Sequence, residues 1–110
     1  MILVSKYMVP KGFIGLTLFP FVFLKHAQLK LNRVLINHER IHLRQQLELL
    51  ILPFFIWYSL EFLMRYSHYK NWHQAYRNIS FEREAYQHEQ DLDYLKKRSF
   101  WNFLKYLCQP

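Results

Sequence analysis

The stretch His38-Glu39-Arg40-Ile41-His42 constrains this chain more than any other, because its spacing acquires meaning on a helix. Residues four apart are separated by about 400° of helical rotation, so both imidazoles leave one face and can reach a single ion. That face is otherwise an inward one. Val34, His38, Ile41, His42, Gln45 and Leu49 fall within an arc of roughly 100°. Burying two imidazoles and the Glu39 carboxylate together is costly unless they are paired or hold a metal. The pattern points to zinc: the metal lowers the pKa of a bound water to about 7, and Glu39, one residue after the first ligand, is placed to take its proton.

Such a site needs a third protein ligand, with the fourth position left to water. Glu61, His68, His73, Glu82, Glu84, His88 and Glu89 all follow the motif. The segment Ile79-Ser80-Phe81-Glu82-Arg83-Glu84-Ala85-Tyr86 opens a second strongly helical stretch and is the best source. His38-Glu39-x-x-His42 followed by Glu82-Arg83-Glu84-Ala85 resembles the gluzincin branch of zinc metallopeptidases, in which a glutamate on a later helix completes the site. The resemblance implies Glu82 as the ligand, with Tyr86 standing where the family has Asp or Asn to orient a histidine; Glu84 is the reserve. Helix geometry leaves both open, since they flank opposite edges of the stripe of Phe81, Ala85, Leu92 and Leu95. The layout is also similar to the membrane-embedded peptidase domains of β-lactam sensor proteins, where the motif helix likewise leads into a hydrophobic one.

The remaining chain reads as one zincin-like domain over residues 1–110, mainly α with a short β element. Met1 to Pro10 shows no clear period. Gly12 to Leu24 is rich in β-branched and aromatic residues and reads as an edge strand or hairpin, because Pro20 cannot donate to a ladder. As a signal peptide it lacks a small-residue cleavage site, and as a membrane span it falls well short of about 20 residues. By analogy with gluzincins, this edge would hold an extended substrate. Ala27 to Asn32 is turn-like, with Asn32 the N-cap of a helix predicted to reach Leu52, where Pro53 stops or kinks it. A very apolar helix follows from Phe54 to Tyr69. Then come a polar aromatic connection, Ser67 to Arg77, with His68, His73 and Tyr76 as candidate oxyanion donors, a helix from Ile79 to Arg98, and an amphipathic helix from Ser99 to Pro110.

Charge narrows the partners. The chain carries a formal +7, but its 15 Lys and Arg are scattered and no nucleic-acid motif is present, so a nucleic-acid reader is not expected. Phe100, Trp101, Phe103 and Leu104 beside Lys96, Lys97 and Lys105 instead suit an anionic membrane surface. The single cysteine, Cys108, excludes an intrachain disulfide and fits a reducing, cytoplasmic setting. The expected activity is zinc-dependent hydrolysis of a peptide bond, with His38, His42 and Glu82 as ligands and Glu39 as general base. The rival from another class is a catalytically inactive domain that keeps the motif as a structural metal site or polar core, serving as a membrane-associated binding or structural protein.

Overall fold

The helix that carries the motif, α1 (Arg33–Leu49), starts where expected: the Asn32 side chain accepts from the Leu35 N–H at 3.1 Å, satisfying one of the unpaired donors of the first turn. The computed structural model describes residues 2–107. Cys108 and the end of the expected last helix lie outside them. The buried face of α1 is mostly polar, with Asn37, His38, Glu39, His42, Gln45 and Gln46 joined by Ile41. Everything else in the fold supplies partners for that face.

The chain is mainly helical with a small three-stranded sheet, as its patterning predicts. Gly12 to Leu24 forms the hairpin: β2 (Gly15–Leu18) pairs antiparallel with β3 (Phe21–Leu24), and Pro20 sits in the turn between them. The N-terminal segment, which shows no period, contributes a further strand. β1 (Ile2–Val4) pairs parallel with β3, giving the order β1-β3-β2 and leaving β2 as the edge that faces α1. Three residues are too few to display an alternation, which is why β1 has no signature in sequence.

Pro53 does not end the motif helix. α1 stops at Leu49 and Leu50 turns the chain with φ 63°, after which α2 (Ile51–Tyr69) leaves at 111° to α1. Pro53 is the third residue of α2, where the first-turn N–H groups have no intrahelical partner and a missing one costs little. Phe54, on the inner face of α2, meets Ile79, Phe81 and Phe103, with Trp57 and Tyr58 packed against them. Each buried ring contributes on the order of 1.5–3 kcal/mol relative to exposure. α2 ends at Tyr69 as predicted, and the polar connection is more helical than predicted, because Asn71 caps a short α3 (Trp72–Arg77) by accepting from Gln74 N–H.

The expected helix from Ile79 to Arg98 is two helices, α4 (Ser80–His88) and α5 (Tyr94–Lys97). A side chain from α1 explains the break. The Asn37 amide donates to the carbonyls of His88, Glu89 and Asp91 at 2.9–3.2 Å, satisfying acceptors that a continuing helix would have paired. At its other end, α4 is capped from α2: Ser80 N–H and Oγ–H both donate to the buried Glu61 carboxylate. The last described segment, Asn102–Tyr106, is a 3₁₀ turn, and Phe103 on it closes the core.

A candidate metal centre between two cavities

α1 and α4 bring His38, His42 and Glu82 together. All three side chains are buried, and their contact atoms form a nearly equilateral triangle: His42 Nε2 to His38 Nε2 is 3.3 Å, His42 Nε2 to Glu82 Oε1 3.1 Å, and His38 Nε2 to Glu82 Oε1 3.3 Å. An ion held tetrahedrally at about 2.0–2.1 Å from each ligand needs edges of roughly 3.3–3.4 Å, so the triangle fits.

Hydrogen bonding at the far ring atoms decides what the near atoms offer. His38 Nδ1 lies 2.7 Å from Glu89 Oε2, and a carboxylate there accepts the Nδ1 proton. His42 Nδ1 lies 2.8 Å from Gln45 Oε1. The Gln45 amide nitrogen donates to Phe81 O and Glu84 Oε1, so its oxygen is the acceptor and His42 also carries its proton on Nδ1. Freed of any proton on Nε2, both rings turn a lone pair toward the Glu82 oxygen. Three acceptors facing one point demand a cation or a proton.

The electrostatics agree. Burial by itself lowers the pKa of His42, but the charge and hydrogen bond of Glu82, with Glu39 behind it, overrule burial and raise it to about 9. Burial likewise works against ionised Glu82, and the two histidines overrule it, holding the carboxyl far below its usual range. Its second oxygen, Oε2, accepts from Tyr58 OH at 2.7 Å, which leaves Oε1 to the histidines. Glu39 differs. Burial raises its carboxyl above the usual range, and neighbouring Glu82 adds to this against the lowering pull of His42 and His38. Its Oε1 accepts from Thr17 Oγ1 at 2.9 Å, and a Cβ placed on Gly15 would come within 3.3 Å of its carboxyl carbon, so β2 is pressed against Glu39.

No protein-family model, curated protein or solved structure matches this chain. The site is therefore defined by its own chemistry.

Of the two glutamates that sequence leaves open, the structure turns Glu82 into the centre and Glu84 away from it. Glu84 is fully buried in a separate network, accepting from Arg98, Tyr94 and Gln45. Tyr86 does not orient a histidine by hydrogen bonding. Its ring packs edge-on against His38 with centroids 4.5 Å apart, and its hydroxyl meets Tyr76 OH at 3.1 Å. The orienting carboxylate comes instead from Glu89, two turns beyond Glu82 on the same line. His88 stacks on Tyr94 and bonds Tyr106, His68 and His73 are exposed, and Glu61 caps α4. Tyr58, Thr17 and Gly15 carry no motif, and nothing in the sequence singles them out.

Two cavities meet at Glu39. One, of about 260 Å³, is bounded by Glu39, His42 and Glu82 and walled by Leu16, Phe55 and Tyr58. The other, of about 450 Å³, reaches His38 and Glu89. Phe13, Gly15, Glu39 and Tyr76 border both. Lys25 N–H donates to Ile14 O across the hairpin, so alternation turns the backbone groups of Gly15 and Thr17 outward from β3. Thr17 O is taken by Gln46 Nε2 at 2.8 Å, and the N–H and C=O of Gly15 remain directed along the cavity wall.

Proposed function

We propose that this chain is a zinc-dependent hydrolase of peptide bonds, built on a minimal zincin-like domain. The observation that carries the reading is the convergence of two histidine nitrogens and a carboxylate oxygen beside a buried fourth group, Glu39, that the cluster leaves unused and that borders both cavities. A structural site would close around its metal with a fourth side chain. Here the group among the described residues is His38, His42 and Glu82, and an open cavity adjoins it.

His38, His42 and Glu82 would hold the ion, and zinc, when bound, supplies Lewis acidity that acidifies water and polarises a carbonyl. Glu39 accepts the proton of the attacking water. Its raised pKa, set by burial, brings it nearer the working pH of a general base and lets it return the proton to the leaving amine. Thr17 fixes the carboxylate by donating to Oε1. Tyr76, at the border of both cavities, keeps its hydroxyl protonated because burial and the Glu82 charge push its pKa far up, and it would donate to an oxyanion on turning from Tyr86. Gly15, with its backbone groups along the cavity, offers an extended peptide the pairing of an added strand.

The test is cleavage of a mixed peptide pool by the zinc-loaded chain, read by mass spectrometry. Glu39→Gln keeps zinc and loses about 10²- to 10⁴-fold in rate, the range for removal of a general base. Undiminished cleavage by this variant rejects the mechanism, and a zinc-loaded wild type that leaves every peptide intact rejects the activity.

A further inference from the structure

The acids and bases of this chain are segregated. Of its 8 acidic residues only Asp93 and, by its side chain, Asp91 are exposed, paired with Lys96 and Lys97, whereas 10 of the 15 Lys and Arg are exposed. Glu39 and Glu82 are in the metal centre, Glu61 caps α4, and Glu48 and Glu84 are held inward by Arg98. The surface is thus more positive than the formal +7 conveys.

The same molecule carries an apolar face along α2. α2 turns Phe54, Tyr58 and Glu61 inward, and at the opposite side of the helix Leu52, Ile56, Leu60 and Leu63 are 53–70% exposed. Leu47 and Leu50, at the bend before α2, extend it. So do Phe100 and Trp101. Trp101 is fastened to the bend by its backbone N–H, which donates to Glu48 Oε1 at 3.1 Å, and by its indole N–H, which donates to Glu48 O at 3.3 Å. The two acids in this stretch, Glu48 and Glu61, are both turned inward, so the face presents no carboxylate.

We infer that this face docks on an anionic lipid surface, with the α1–α2 bend and the outer side of α2 entering the interface. Apolar side chains with a tryptophan, in a surface whose exposed charges are almost all Lys and Arg, match the chemistry of an interfacial layer of acidic headgroups. A second copy would set one basic surface against another, which disfavours self-association through this face. No single helix is long and apolar enough to span a bilayer, although α1 and α2 together, bent at 111°, have the length and composition.

The test is co-sedimentation of the full chain with phosphatidylcholine vesicles made with and without phosphatidylglycerol. The expected result is binding to the anionic vesicles at least about tenfold tighter than to neutral ones, weakened by added salt. Leu52→Glu with Leu60→Glu abolishes it while helicity and zinc content stay as in wild type. Ile56→Asn, a single exposed change, weakens it several-fold and serves if the double variant fails to fold. Absence of binding to anionic vesicles overturns the inference, as does equal binding to neutral ones or unchanged binding by the folded variants. A concentration-dependent dimer that these variants dissolve, without lipid binding, overturns it in favour of a second copy.

Discussion

At the scale of single residues, the centre is a competition between a proton and an ion for the same lone pairs. In metal-free protein, His42 holds a proton up to about pH 9, whereas in the unfolded chain it releases it near 6.5. A raised histidine pKa contributes stability that is complete below the unfolded value and is lost as pH rises through the folded one. Chelated protein should therefore show a melting temperature that falls between about pH 6.5 and about 9. Zinc loading should flatten that slope, and calorimetry across this range checks both. Glu89 acts on the other ring, fixing the tautomer of His38 from 2.7 Å. Glu89→Gln should lower zinc affinity about 10- to 100-fold without removing the site, measurable by competition with a chromogenic chelator.

At the scale of elements, α4 is positioned by polar contacts more than by its own apolar stripe. Glu61 holds its first turn, Asn37 its last, and Arg98 ties Glu84 on α4 to Glu48 on α1 through a guanidinium that is fully buried. Removing Arg98 leaves two carboxylates without their partner in a dry interior. Arg98→Ala should cost about 3–5 kcal/mol in urea unfolding, the penalty of a broken buried pair. It should also loosen zinc, because Gln45, which orients His42, loses a settled Glu84 to donate to. Much of this level was legible beforehand. The hairpin, the Asn32 cap and the two long helices follow from local pattern. Pro53 was misjudged because a proline serves equally after one helix or inside the first turn of the next. The break after His88 was hidden because its cause, Asn37, lies about 50 residues away.

At the scale of the whole molecule, the candidate metal centre lies where α1 meets α4. It joins α1 to α4 where the core would otherwise bury unpaired acceptors, so zinc should stabilise the entire chain and not merely its site. At a thousandfold excess over Kd, binding to the folded state adds about 4 kcal/mol. In a domain of this size that raises the melting temperature by about 15 °C, and a strong chelator should reverse the shift. A melting temperature indifferent to zinc would count against a centre made of His38, His42 and Glu82. The resemblance to gluzincins named His38, His42 and Glu82 from the motif and a glutamate on a later helix, and the fold brings those three side chains together.

By itself the sequence determined what one helix can decide: two imidazoles four residues apart, a carboxylate between them, and an inward face under an N-cap. These follow from rotation per residue and first-turn hydrogen bonding, which act within a few positions. Only the tertiary structure chose between Glu82 and Glu84, drew in Glu89, Tyr58 and Thr17, and withdrew nearly every acid from the surface. Such choices depend on which distant group claims each oxygen first. Arg98 claims Glu84, and Glu82 is left to the histidines.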